Sequence, residues 1–215
     1  MSKSGTSKHT TRSVVSADQS QTVNDDYSPR EFRYWRNLFI YFWVFGIFGI
    51  ALEAVWSFIR FNITGQSGFH PIAPTITPLS PPYGLGAVAL AALVYPIVHR
   101  SKRMNVLTVY IVSVAILTAI ELTCALLIIL VLGNNPFWSY SREPYNFYGL
   151  IELKNSLLFG IVGVVFIYFI FPRVKKILRR ISDKLLNEIF WFTFVTYTCD
   201  VAFAIYNILG NHIKL

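Results

Sequence analysis

The sequence predicts an all-α, polytopic membrane protein built as a bundle of five transmembrane helices, and three observations carry that prediction. Its 215 residues are 54% hydrophobic and 14% charged, whereas an ordinary soluble domain is about a quarter charged. The apolar residues are gathered into blocks of roughly 20, the length at which an α-helix crosses the hydrocarbon core. Lysine and arginine then fall between those blocks in an alternating way that an odd number of crossings explains.

Taken in order, residues 1–30 are rich in Ser and Thr and nearly free of large apolar side chains, a composition that cannot offset chain entropy by burial. They are expected to form a disordered cytoplasmic tail before a transmembrane domain over 31–215. The tail lacks an apolar h-region, so no cleavable signal peptide is expected and the first helix would act as its own insertion signal. Helices are predicted over about Arg36–Ile59, Tyr83–Val98, Val106–Leu132, Leu150–Phe171 and Glu188–Leu209.

Orientation follows from the basic residues. Arg30, Arg33 and Arg36 precede the first helix, Arg100, Lys102 and Arg103 follow the second, and Arg173, Lys175, Lys176, Arg179, Arg180 and Lys184 separate the fourth from the fifth. The other side holds Arg60, Arg142, Lys154 and Lys214. Five crossings place every large group in the cytoplasm, with the N-terminus inside and the C-terminus outside a cell membrane. The net charge of +8 therefore reads as topology and contact with anionic lipid, and no nucleic-acid-binding motif accompanies it.

Two connections have character of their own. Before the second helix, Pro71, Pro74, Pro78, Pro81 and Pro82 with Gly84 and Gly86 make a Pro-rich outer loop, which at membrane depth must be buried in protein or line a cavity. Residues 172–187 are basic, with Ile177, Leu178, Ile181, Leu185 and Leu186 on one helical face. They are expected to form an amphipathic helix on the inner membrane surface, either facing lipid or docking a separate ATPase subunit. The outer loop of residues 133–149 carries Trp138, Tyr140, Tyr145, Phe147 and Tyr148, which suits an interfacial aromatic belt. The sequon Asn62-Ile63-Thr64 lies too close to the first helix to be read as a glycosylation site.

Each helix has one polar or small-residue face. Gly46, Gly49, Glu53, Ser57 and Arg60 stack on the first; Gly84, Ala87 and Ala91 on the second; Thr118, Glu121, Cys124 and Ala125 on the third. The fourth opens with Glu152, Lys154, Asn155, Ser156, Gly160 and Gly163, and the fifth stacks Thr193, Thr196, Tyr197, Asp200, Ala204 and Asn207. Charged groups inside a membrane cost at least about 2.5 kcal/mol each near its centre, so they face the interior and find partners. Glu53, Glu121 and Asp200, with Lys154 pairing one carboxylate, are expected to converge as an outward-facing pocket for a small polar or cationic solute. The competing reading is that these acids serve assembly alone, through hydrogen bonds between helices.

Other chemistries find little support. His9, His70, His99 and His212 are scattered without ligand spacing, so no metal is expected, and no GxSxG nucleophile or Walker A loop is present. Cys124 and Cys199 fall in predicted helices and read as thiols. No cofactor and no catalytic residue is expected, and a membrane-embedded lipid-modifying enzyme ranks last among the readings. A scaffold or lipid-binding protein that moves nothing is the stronger alternative.

An ordered set of short motifs resembles the CmpB-like family of ABC-transporter permeases, related to the transmembrane protein 229 group of animals. These are Leu52-Glu53, the stretch Pro78-Leu79-Ser80-Pro81-Pro82-Tyr83-Gly84-Leu85-Gly86, and Glu121. They continue with Trp138-Ser139-Tyr140-Ser141, Tyr145-Asn146-Phe147-Tyr148-Gly149 and Ser156-Leu157-Leu158-Phe159-Gly160. The resemblance covers about residues 40–165, implies membrane transport with a separate ATPase, and adds Tyr83, Asn146 and Ser156 to the substrate-binding set. The family usually carries an Asp where Ser139 stands and a basic residue where Leu150 stands, and Arg142, Glu143, Glu152 and Lys154 are the nearby charges that would substitute. Membrane lipids are the other expected partner, and an oligomer is compatible with the pattern.

The topology is checked by reporter fusions. A C-terminal reporter that works only outside the cytoplasm should be active, and activity there of a cytoplasm-only reporter would overturn the orientation.

Overall fold

The computed structural model describes the backbone of residues 29–64, 80–101 and 104–212, with side chains throughout except at 60, 64, 100, 101 and 208–212. Residues 1–28 of the tail, with His9 among them, and Pro71, Pro74, Pro78, Lys102, Arg103, Lys214 and His70 lie outside the described residues, as do the side chains of Arg60, Thr64, Arg100 and His212. The chain divides into two compact units, one ending at Leu38 and one running from Phe39 to Leu215. In the first unit the Trp35 indole donates to the Pro29 carbonyl at 2.9 Å and the Arg36 guanidinium to Asn37 Oδ1 at 3.2 Å.

Five helices are long and apolar enough to cross a membrane: Phe32–Ile63, Pro81–His99, Val106–Leu132, Leu153–Leu178 and Asp183–Asn207. They are called the first to fifth spans below. Their outward faces are apolar, Leu130 being 80% and Phe192 73% exposed, which suits hydrocarbon and not water.

The third span occupies the range its sequence predicts, because both ends carry a cap. The Asn105 side chain accepts from the Thr108 N–H at 2.8 Å, and Gly133 closes the far end at φ +79° with its N–H on the Ile129 carbonyl at 2.8 Å. Elsewhere the boundaries move for identifiable reasons. The second span opens at Pro81, two residues earlier than expected, since prolines in the first turn lack only an N–H that is unpaired there anyway. The fourth opens at Leu153, not Leu150, because Ile151–Glu152 is extended and pairs antiparallel with Asn146–Phe147.

The basic connector differs most from expectation. No single surface helix spans residues 172–187. The fourth span continues through Leu178, the chain turns over Arg179–Ser182, and the fifth span begins at Asp183. A serine supplies the restart, its hydroxyl accepting from the Leu185 N–H at 3.4 Å.

Two interior prolines leave a matching mark. Pro96 and Pro172 would each collide with the carbonyl four residues back, at Ala92 and Tyr168. Those residues lie within π-helical turns, Leu90–Val94 and Phe166–Ile170, where the wider backbone accommodates the ring. The two π turns pack against one another, with Leu90, Val94 and Ile167 among the most buried side chains in the protein.

Aromatic contacts set the order of the spans. Tyr41 meets Phe171 at 4.9 Å and Phe45 meets Phe166 at 4.9 Å, so the first and fourth spans run antiparallel. Phe39 meets Phe190 at 5.4 Å and Trp43 meets Tyr197 at 6.4 Å, so the first and fifth run parallel, as an odd number of crossings requires. Glycines let the backbones close up. Tyr83 lies where a side chain on Gly49 would be, Tyr110 where one on Gly160 would be, and Ser113 where one on Gly163 would be.

That last contact gives a stability test. Gly163→Ala should destabilise the bundle by about 1–3 kcal/mol through overpacking, and adding Ser113→Gly should restore most of the loss. Thermal unfolding in detergent reads both; equal melting temperatures for wild type and Gly163→Ala would exclude the contact.

Candidate functional site

The polar faces expected from the sequence are the ones turned inward. Gly46, Gly49, Ser57, Gly84, Ala125, Glu152, Ser156, Gly160, Gly163 and Asp200 are all buried. Most threonines on the spans, however, satisfy themselves and bridge nothing. Thr123, Thr193, Thr196 and Thr198 donate to carbonyls four residues back at 2.7–2.8 Å. Interhelical polar contact therefore falls to fewer groups.

A cluster forms among residues of the first four spans and of the loop between the third and fourth. Gly49 on the first span seats the ring of Tyr83, and Glu53 lies one turn farther along the same face. The Tyr83 phenol lies within electrostatic range of Glu53 and of Glu121 on the third span. Glu121 in turn is within range of Glu152, the residue just before the fourth span. Tyr140, from the loop between the third and fourth spans, donates to Glu121 Oε1 at 2.8 Å, and the Asn155 side chain approaches the same phenol.

The loop that delivers Tyr140 is a structured hairpin. Asn146–Phe147 pairs with Ile151–Glu152, the Tyr140 N–H donates to the Gly149 carbonyl at 2.8 Å, and the Trp138 indole donates to the Leu150 carbonyl at 3.1 Å. Asn146 ties the turn from both ends, donating to the Glu143 carbonyl at 2.7 Å and accepting from the Gly149 N–H at 2.8 Å. The turn needs left-handed backbone at Tyr145 (φ 56°), Tyr148 (φ 51°) and Gly149 (φ 72°), a conformation that costs roughly 1–2 kcal/mol at a residue with a side chain. The hydrogen bonds of Asn146 and the hairpin hold it there.

Three carboxylates in this cluster each keep one buried oxygen without a hydrogen-bond partner: Glu53 Oε2, Glu121 Oε2 and Glu152 Oε2. Glu152 is 4% exposed. The hydroxyls of Ser80 and Thr118 are likewise buried and unpartnered. Such atoms are rare in proteins and point to a ligand or to bound solvent.

Of the substrate-binding residues the sequence suggests, the fold brings Glu53, Tyr83 and Glu121 together. Ser156 is buried one turn beyond Glu152, whereas Asn146 shapes the hairpin. Lys154 does not pair a carboxylate as expected: it is exposed and forms no ion pair among the described residues, because the first helical turn directs it away from Glu152. Asp200 is buried on the fifth span and acts electrostatically on Tyr197, whose ring packs on Phe42 and Trp43. Sequence reasoning did not assign Tyr140 or Asn155 to the site. The signal was present in Tyr140's place within the Trp138–Ser141 motif. No group of three His, Cys, Asp or Glu among the described residues is arranged to hold a metal ion.

Burial, and then the negative charge of Glu121, raises the Tyr140 phenol above its ordinary value. It therefore stays a donor. Below about pH 10 both folded and unfolded states keep this proton and stability is at its full value; above that the unfolded chain releases it first and stability falls. Tyr140→Phe should cost about 1–3 kcal/mol and flatten the alkaline loss. Melting curves taken across the alkaline range check both, and no change in either would exclude the bond to Glu121.

The family model ABC_trans_CmpB, described as "Putative ABC-transporter type IV", matches residues 40–205. No curated protein matches the chain. No solved structure matches it either.

Proposed function

Because the chain belongs to the ABC_trans_CmpB family of ABC transporters, we propose that it binds a small polar or cationic solute at the carboxylate cluster, as the membrane component of a transport system. The family and the five apolar helices make it a transport-associated, multi-pass membrane protein. The observation that carries the finer reading is the set of unpartnered buried oxygens on Glu53, Glu121 and Glu152. A cluster serving assembly alone would pair its acceptors across helices, since each unmade bond costs about 1–3 kcal/mol.

In this reading Glu53, Glu121 and Glu152 receive the solute, Tyr83 and Tyr140 form its polar and aromatic walls, and Ser156 lies at its floor. Asn146 acts indirectly by holding the hairpin, Lys154 stays at the rim, and Asp200 secures the fifth span. The cluster would open to the outside of a cell membrane, with the N-terminus cytoplasmic and the C-terminus extracytoplasmic, a reading the placement of the basic residues supports.

The chain carries no nucleotide-binding loop, so energy would come from a separate ATPase. Its docking surface would be the basic turn within residues 172–187, where Lys176, Arg179, Arg180 and Lys184 are exposed. An ATPase that copurifies with the wild-type protein should be lost when Arg179, Arg180 and Lys184 are reversed to Glu.

The solute reading is tested on the full chain purified in lipid nanodiscs. Native mass spectrometry should show a retained small molecule, and Glu53→Gln with Glu121→Gln should release it while the melting profile stays cooperative. Equal retention by the double variant would sink the assignment.

A further inference from the structure

We infer that the tip of the hairpin between the third and fourth spans is an interfacial anchor, with Tyr145, Phe147 and Tyr148 seated in the headgroup zone of the adjoining lipid leaflet. The inference stands on the hairpin alone and is independent of the solute reading.

The five aromatic residues of this loop do not act alike, as a uniform belt would. The Trp138 indole and the Tyr140 phenol are turned onto the protein by their bonds to the Leu150 carbonyl and to Glu121. Tyr145, Phe147 and Tyr148 are instead 83%, 54% and 86% exposed, with the Phe147 and Tyr148 rings edge to face at 4.8 Å. Large aromatic side chains left bare together at one tip mark a contact surface.

The backbone is bent to present them. The Leu150 N–H donates to the Phe147 carbonyl at 3.0 Å, and both residues between, Tyr148 and Gly149, have positive φ, the pattern of a type I′ turn. Glycine or asparagine takes the first of those positions readily, and tyrosine does so only under strain. Tyr145 holds another left-handed position nearby. The hydrogen bonds of Asn146 keep the backbone in place, but none of them needs a tyrosine. What offsets the strain lies in what the tyrosine side chains touch.

Depth and charge identify that contact. The N–H of Leu153, the first residue of the fourth span, donates to the Tyr145 carbonyl at 3.3 Å, which fixes the tip at the level where the span begins. In the first turns of that span Leu153 and Leu157 are 50% and 45% exposed, so the aromatic tip continues the lipid-facing surface at its rim. Residues 144–151 include no charged side chain and offer a protein partner no ion pair. A tyrosine has an apolar ring for the acyl boundary and a hydroxyl for the hydrated headgroups.

The test uses the full chain in lipid nanodiscs, where Tyr148→Trp adds a sixth tryptophan to the five of the wild type. The emission it adds should fall by at least about half in lipid brominated near the headgroup end of its acyl chains, and clearly less with aqueous iodide. Tyr145→Trp is read the same way should the first variant not fold. Iodide quenching equal to or greater than that by brominated lipid would set the tip in water and overturn the anchor. Resistance of the added emission to both quenchers would set the tip against protein, a second copy of the chain included, and overturn it as well.

Discussion

Everything in this protein answers to one constraint: a backbone N–H or C=O placed in hydrocarbon must find its partner within the protein. That requirement selects five continuous helices and decides how each departure from a helix is built. Where Pro96 and Pro172 break the ladder, the chain widens into π turns, and the two turns bury each other. Where the chain leaves the third span, Gly133 turns it in left-handed backbone and the following hairpin pairs its own amides. Threonines on the spans return their hydroxyls to their own helix.

Among the buried polar atoms that lack a partner, three are carboxylate oxygens. Glu53, Glu121 and Glu152 each leave a buried oxygen without a partner, as do Trp43, Ser80, Ser113, Thr118 and Asn135 at single polar atoms. Selection for stability alone would replace the acids with apolar side chains, which pack at no such cost. The Tyr140 bond to Glu121 links the cluster to the hairpin. The strained backbone at Tyr145 and Tyr148 lies in that same hairpin.

The two ends of the bundle are chemically different. One carries the acids and the hairpin. The other carries Arg173, Lys175, Lys176, Arg179 and Arg180, with Lys175 over the Tyr95 ring at 5.4 Å and the Arg173 guanidinium donating to the Phe169 carbonyl at 2.6 Å. A basic end of this kind suits contact with an anionic membrane surface.

The sequence by itself determined the membrane class, the five spans and the buried face of each, because apolar run length and the spacing of Gly46, Gly49, Gly160 and Gly163 are local properties of the chain. It also singled out Glu53, Tyr83 and Glu121. Tertiary structure decided which acids share a site. Asp200 has the same intramembrane character as Glu121, yet it lies on the fifth span, which docks on Phe39, Phe42 and Trp43 of the first. Lys154 is one position from Asn155, yet a helical turn points them to different faces. The pairing of Tyr140 with Glu121, 19 residues apart, depends on a hairpin whose register arises from Asn146 and the extended Ile151–Glu152. Helical spacing shows which residues look inward, but only the packing of the helices shows what they meet there.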